Sequence, residues 1–136
     1  MGYVERCLWE YRENQGALIL MREELSELKS IHGQNYSPHS TNGVSDPVSD
    51  VAHRVIVLER KIQQIEKRIK PVSRLKEALM GSEMRVHHMR EILRLRYFEH
   101  ESSETVIREM GISEATYFRR CGELKRLARK YICDWI

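Results

Sequence analysis

The sequence predicts an all-α protein, with a long heptad-patterned helical hairpin or coiled coil followed by a C-terminal three-helix helix-turn-helix domain. Charged residues of both signs make up 32% of the 136 residues, aromatic residues only 7%, and the chain has seven glycines and three prolines. Such a composition is typical of amphipathic helices and unsuited to a sheet. In addition, two long stretches carry mostly apolar residues at alternating spacings of three and four. Such residues lie along one side of a helix, which we call its seam, so the pattern predicts two long helices.

The first of these stretches runs from Val4 to Leu28 and predicts one long helix. Its spacing is a heptad repeat, occupied by Val4, Cys7, Tyr11, Asn14, Leu18, Met21, Leu25 and Leu28. Asn14 is a polar residue on this seam, and Gly16 follows it. We therefore expect the helix to be weakest there, either kinked or held in one register by a buried amide.

Residues 32–46 interrupt the helical pattern with glycine, serine, asparagine and proline, which predicts a loop. The loop ends at Asp46, a good N-cap, and Pro47 suits the first position of a helix. The second long helix should begin there, with a seam formed by Val48, Val51, Val55, Leu58, Ile62, Ile65, Ile69 and Val72. The two seams can pair within one chain or between chains, and the sequence does not choose.

The second long helix leads into a boundary that we place near Gly81. Pro71 should kink or end this helix, with a short continuation beyond it. Gly81 and Ser82 then break and recap the chain. We predict an oligomerisation or interaction region over residues 1–80 and a helix-turn-helix domain over residues 81–136.

Residues 81–136 predict three helices, over residues 83–98, up to Met110 and over residues 114–131. Gly111 supplies the left-handed backbone that ends a helix, and Ser113 is a good N-cap for the next. The inward stripe of the last helix is predicted to be Tyr117, Cys121, Leu124, Ala128 and Tyr131. A short helix, a tight turn and a helix that begins polar and becomes basic form the pattern of a helix-turn-helix, whose second helix enters the major groove of DNA.

The exposed side of this last helix provides the residues that we predict to contact double-stranded DNA. They are Ser113, Glu114, Ala115, Thr116, Phe118, Arg119, Arg120, Lys125 and Arg126. Arg119 and Thr116 should reach base edges, and Ser113 and Phe118 a phosphate or a thymine methyl group. Arg120, Lys125 and Arg126 should hold the backbone. Phe118 is equally suited to completing a small core or a dimer contact. The net charge of the chain is only +3, so DNA binding must depend on this local cluster.

Other classes of site find no support in the sequence. The three cysteines are odd in number and widely separated, which argues against a disulfide framework or a zinc site. Neighbouring histidines such as His87 and His88 point in different directions on a helix, so we interpret them as surface residues. We predict no catalytic site, metal or cofactor. Since no apolar run approaches the length of a membrane span, we expect no membrane contact and a cytoplasmic protein.

Two parts of the sequence resemble known regulators. Residues 89–98, Met-Arg-Glu-Ile-Leu-Arg-Leu-Arg-Tyr-Phe, together with the linker and helix-turn-helix that follow, resemble region 4 of bacterial sigma factors. The upstream half is similar to the ArpU/RinA-type phage regulators of late-operon transcription. Its matching features are Gly-Gln-Asn-Tyr-Ser at residues 33–37 and Gly-Val-Ser-Asp-Pro at residues 43–47, where the second long helix opens. The pair Thr116 and Tyr117 is a further distinctive feature.

The resemblance spans most of the chain and implies a DNA-binding transcription regulator acting on a phage or prophage promoter. One position departs from the motif. Four residues before the turn glycine the motif usually has alanine or another small side chain, and here the residue is Ile107. A wider helix crossing or a small shift of register would change which residues face the groove.

Three further expectations concern partners. A heptad seam predicts a homodimer, in which two copies would read half-sites about 34 Å apart along the duplex. A small terminase subunit of a phage packaging machine is the nearest alternative, because it also joins a helix-turn-helix to coiled-coil helices. A helical protein-interaction module that does not bind DNA is the other, with RNA polymerase as a partner.

Overall fold

A computed structural model describes the backbone of residues 1–35 and 47–133, and these residues form helices and no strand. The all-α prediction is confirmed. In chain order the helices are α1 (Tyr3–Trp9), α2 (Tyr11–Asn35), α3 (Pro47–Ala78), α4 (Met84–Ile92), α5 (Ser103–Met110) and α6 (Glu114–Cys133). Helix α4 continues directly into a π-helical stretch, Leu93–Phe98.

The chain divides into two compact units. The hairpin unit is Gln15–Glu66, and the larger unit joins Met1–Asn14 to the chain from Lys67 onwards. Each long helix therefore belongs partly to both units. The predicted functional division between residues 80 and 81 remains a prediction.

Within the hairpin unit, α2 and α3 run antiparallel in a single chain. Arg22 donates a hydrogen bond to Glu66 at 2.8 Å, and seven residues further along α2 the Lys29 ammonium lies 3.3 Å from Glu59. A step of seven residues forward on α2 thus matches a step of seven backward on α3. Exposed ion pairs of this kind contribute at most about 1 kcal/mol each. The main stabilisation comes from the buried seam residues, which are Leu18, Leu58 and Ile62.

The first predicted helix is interrupted earlier than we expected. The interruption lies at Glu10, between α1 and α2, whereas Gly16 lies inside α2 without a break. Helix α1 packs against α6 and the π-helical stretch, burying Cys7 and Leu8. The start of α2, up to Asn14, still belongs to the larger unit, where the Tyr11 ring stacks on Phe98 at 4.8 Å, and only the later part of α2 pairs along the hairpin. The heptad periodicity of the sequence does not show which of these residues pack on the C-terminal helices and which pair along the hairpin.

The seam position Asn14 carries an unsatisfied buried group. Its side-chain nitrogen Nδ2 is buried and has no hydrogen-bond partner among the described residues. Leaving a buried donor unsatisfied costs about 1–3 kcal/mol. Of the two features that we predicted around Asn14, the structure shows a buried amide and no break of the helix at Gly16.

The predicted loop begins later than expected, and the second long helix is not interrupted at its proline. Helix α2 continues to Asn35, because glycine in a helix interior costs only about 1 kcal/mol and does not by itself end a helix. Residues 36–46, including the predicted cap Asp46, lie outside the described residues. Helix α3 begins at Pro47 as predicted but continues through Pro71, where the prediction allowed an end. Val72, Leu75 and Leu79 are fully buried and hold this last part of the helix in place.

The π-helical stretch was not predicted. Its wider turn is closed by a hydrogen bond of 2.9 Å from the Glu99 backbone N–H to the Arg94 carbonyl. Four of its six residues are buried, namely Leu93, Leu95, Tyr97 and Phe98. A regular α-helix with a single apolar stripe would not bury all four residues. A hydrophobic pattern with a period of 3.6 residues therefore does not predict this stretch.

The linker before α5 is attached to α1 through Trp9. The His100 ring stacks on the indole at 3.8 Å, and its Nε2 donates to the Trp9 carbonyl at 2.7 Å. The Arg96 guanidinium lies 5.2 Å from the centre of the indole ring. His100 has a φ of +60°, which is uncommon for a residue other than glycine. These contacts fix the point from which α5 begins.

Candidate nucleic-acid interface

The turn between α5 and α6 has the geometry that the sequence predicts. Gly111 has a φ of +63°, in the left-handed region that favours glycine. Its N–H bonds to the carbonyl of Arg108, and the N–H of Ile112 bonds to that of Ile107. These are the two hydrogen bonds of a Schellman motif. The predicted role of Gly111 as the end of the short helix is confirmed.

Ser113 caps α6, also as predicted. Its hydroxyl oxygen accepts a hydrogen bond from the Thr116 backbone N–H at 3.1 Å and donates to the Thr116 hydroxyl oxygen at 2.9 Å. The Ser113 proton is therefore used inside the cap. The Thr116 hydroxyl accepts that bond and keeps its own proton to donate elsewhere. Of the two, Thr116 is better placed to act as a donor to an external partner.

The inner face of α6 packs against the rest of the larger unit. Its buried residues are Tyr117, Leu124, Ala128 and Ile132. Of the predicted stripe, Tyr117, Leu124 and Ala128 are buried, whereas Cys121 and Tyr131 are only half-buried. Ile132, four residues after Ala128, takes the last inward position. Burial raises the pKa of Tyr117, so its hydroxyl stays protonated and donates to Ser103 of α5 at 3.2 Å. Packing and this bond together fix which side of α6 faces outward.

The outer face of α6 is open within the larger unit. Of the predicted residues, Ser113, Glu114, Ala115, Phe118, Arg119 and Arg126 are exposed and Thr116 is half-buried. Residues three, four and seven apart share one side of a helix, and here the exposed Ala115, Phe118, Arg119 and Arg126 form a stripe with the half-buried Gly122 between them, which we call the exposed stripe. The Phe118 side chain is 60% exposed. A Cβ atom on Gly122 would have no neighbour within 4 Å.

Arg120 is placed differently from its neighbour Arg119. Its guanidinium donates to His88 at 3.3 Å and to both carboxylate oxygens of Glu123 at 3.1 and 3.3 Å, and its side chain is only 16% exposed. His88 is half-buried, which corrects its interpretation as a surface residue. Burial and, next, the positive charge of Arg120 lower the pKa of His88. The neutral ring can accept the Arg120 hydrogen bond, so Arg120 joins α4 to α6.

Lys125 also has an intramolecular partner. Its ammonium nitrogen lies 3.4 Å from a carboxylate oxygen of Glu5 on α1, and the side chain is half-exposed. Sequence reasoning treated Arg120, Lys125 and Arg126 as one group. The structure brings Arg126 together with Arg119 on the exposed stripe and places Arg120 and Lys125 in contacts between helices.

A second set of cations beside α6 was not predicted as a site. Arg85 of α4 lies next to Arg126 and Lys130 of α6, at a groove between the two helices. Lys130 was recognisable as one of several cations late in α6. Arg85 carries no sequence signal of its own, because only the packing of α4 on α6 brings it there.

Two other kinds of site were sought in the described part of the chain. No group of three or more histidine, cysteine, aspartate or glutamate side chains is arranged to hold a metal ion there. Nor does any helix within those residues have the length and apolar character needed to cross a membrane.

Residues 36–132 match the model of a protein family described as "protein of unknown function (DUF1492)". The chain belongs to the DUF1492 family. The matched region extends from before α3 into the last turn of α6 and contains the capped turn, the exposed stripe and the groove beside it. Helices α1 and α2 precede the region that defines the DUF1492 family. No curated protein and no solved structure gives a significant match to the chain.

Proposed function

We propose that this DUF1492 protein is a sequence-specific, DNA-binding regulator of transcription whose helix α6 lies in the major groove. One observation carries the proposal: α6 starts directly after a tight, capped turn and presents the exposed stripe, which carries two arginines, Arg119 and Arg126. The major groove of B-DNA is wide enough for an α-helix, and its base edges are read by such side chains. The resemblance to ArpU/RinA-type regulators supports a phage or prophage promoter as the target.

The residues of α6 divide by their surroundings into two groups. Arg119, Thr116 and Phe118 lie within the first turns of α6, the part of a recognition helix that contacts bases, and we assign base contacts to them. Arg126 is two turns further on and is assigned to a phosphate. Arg120 and Lys125 would have to leave Glu123 and Glu5 to reach DNA, so we assign them no primary contact.

A binding experiment with two variants tests this proposal. Duplexes from the DNA flanking the protein's own gene are compared with random duplexes by gel shift at two salt concentrations. Arg119→Ala should weaken specific binding by about 1–3 kcal/mol and relax sequence preference, because a bidentate base contact is lost. Arg60→Ala removes an exposed arginine from α3 in the hairpin unit and serves as the control with unchanged binding.

Three results would contradict the proposal in different ways. Absence of binding to every duplex would refute DNA recognition, and retained RNA polymerase binding in that case would favour the interaction module. Equal losses for Arg119→Ala on specific and random DNA would refute its role in base recognition. A ring-sized oligomer that prefers a packaging site would favour a small terminase.

We also propose that the protein acts as a homodimer, with two copies of α6 reading half-sites about 34 Å apart. The exposed apolar side chains of Ile19 and Leu20, next to each other on α2, support a second copy as partner. Analytical ultracentrifugation of the wild-type protein and of a Leu20→Glu variant tests the dimer. A monomeric wild-type protein at micromolar concentration would refute the dimer and leave DNA binding untouched.

A further inference from the structure

A groove of about 380 Å³ runs between α4 and α6 beside the exposed stripe. Its walls combine three cations, one carboxylate and two apolar side chains, namely Arg85, Arg126, Lys130, Glu123, Met89 and Leu127. Arg126 belongs to both the groove and the exposed stripe. The two features therefore form one continuous basic surface of the larger unit.

Among the described residues that line the groove, the one acidic side chain, Glu123, is already neutralised. Glu123 accepts two hydrogen bonds from Arg120, at 3.1 and 3.3 Å. Arg85 approaches the same carboxylate through its Nε at 3.5 Å, and its side chain is 63% exposed. A guanidinium has five N–H donors, and this long contact accounts for only one of them. Arg85 therefore adds positive charge to the groove beyond what Glu123 requires.

The form of the groove suits a polymer backbone. Met89 is buried and forms part of an apolar floor, while Arg126 and Lys130 are exposed at the rim. A floor without polar groups offers little to a small anion that enters the groove fully. Cations along a rim can instead contact phosphates that pass across it, which is how backbone contacts position a protein on a duplex.

We propose that the groove between α4 and α6 holds the phosphate backbone of one DNA strand at the edge of the major groove that α6 enters. In this arrangement Arg85 and Lys130 contact phosphates from the two sides of the groove. The inference rests on the proposed function and extends the DNA-contacting surface from α6 onto α4.

The test measures how the binding constant of Arg85→Ala depends on salt. Each phosphate contact that is lost should reduce the slope of log K against log salt concentration by about 0.9. Since phosphates carry no sequence information, Arg85→Ala should weaken specific and random duplexes by the same factor, and Arg85→Lys should retain most of the wild-type slope. The control is Arg60→Ala, an exposed arginine on α3 outside the helix-turn-helix, with an unchanged slope.

A second comparison excludes an indirect effect through Glu123. If Arg85 acts by contacting DNA, Arg85→Ala should reduce the slope equally in the wild-type and Glu123→Gln backgrounds. A reduction that disappears in the Glu123→Gln background would overturn the proposal, as would a wild-type slope for Arg85→Ala. Either result leaves the proposed function standing. By contrast, a wild-type protein that binds no duplex refutes the function itself.

Discussion

The glycine at the centre of the exposed stripe provides the sharpest test of the α6 surface. Gly122 lies eight residues after the start of α6 and eleven before its end, so it is an interior helical position. Replacing it with alanine adds a single Cβ atom. We predict that Gly122→Ala stabilises the isolated protein and weakens its binding to DNA.

The gain in stability follows from the surroundings of Gly122. The new Cβ would meet no atom within 4 Å, so the substitution brings no clash and no new packing. What remains is helix propensity, which favours alanine over glycine in a helix interior by about 0.5–1 kcal/mol. For a chain of this size that is a rise in Tm of about 2–5 °C.

The assay pairs Gly122→Ala with Gly16→Ala. Gly16 is also an interior helical residue with open space around its Cβ position, but it lies on α2 in the hairpin unit. Urea denaturation should therefore show both variants to be stabilised by a similar amount. If α6 lies against a duplex through the exposed stripe, the extra methyl of Gly122→Ala overpacks that contact by about 1 kcal/mol or more. Its Kd should rise at least about fivefold, whereas Gly16→Ala keeps the wild-type Kd.

Two outcomes would refute separate parts of this reasoning. A Gly122→Ala protein less stable than the wild type would mean that the space around Gly122 is occupied in the folded chain. A stabilised variant with unchanged DNA affinity would mean that no duplex approaches the exposed stripe closely.

Two further predictions concern the larger unit. Because the pKa of His88 is lowered in the folded chain, the His88 ring takes up a proton at a higher pH in the unfolded chain than in the folded chain. The free energy of unfolding should therefore fall as the pH drops below about 6.5. Glutamine can still accept the Arg120 hydrogen bond, so His88→Gln should reduce this loss in urea denaturation at pH 7.5 and 5.5. The control His53→Gln replaces an exposed histidine and should leave the loss of stability between pH 7.5 and 5.5 unchanged. An equal loss for both variants would contradict the prediction. Asn14→Leu should raise the free energy of unfolding by about 1–2 kcal/mol, because it removes a buried amide donor without a described partner; a less stable variant would show that the amide has a partner.

Local elements of the fold could be predicted from the sequence because they depend on residues close together in the chain. The left-handed Gly111 and the Ser113 cap each follow from contacts within about one helical turn. The start of α3 at Pro47 agrees with the preference of proline for a first helical position. The outward direction of Arg119 follows from the same helical period that buries Tyr117 and Leu124. These features account for most of the exposed stripe.

Contacts between helices were beyond sequence reasoning. Sequence placed Arg120 with Arg119 because both are cations in the same helix, and the structure ties Arg120 to His88 across 32 positions of chain. The π-helical stretch exists because its residues are buried against more than one neighbour, which no single period describes.

The sequence by itself determined that the chain is helical, where α5 ends and α6 begins, and that α6 has one apolar and one basic side. Only the tertiary structure decided that α1 joins the C-terminal helices, that Lys125 faces Glu5, and that Arg85 shares a groove with Lys130. The physical reason is the distance along the chain over which each interaction acts. Helix periodicity and capping act between residues a few positions apart, whereas the choice of which apolar surfaces meet is made by burial between segments that are distant in the chain.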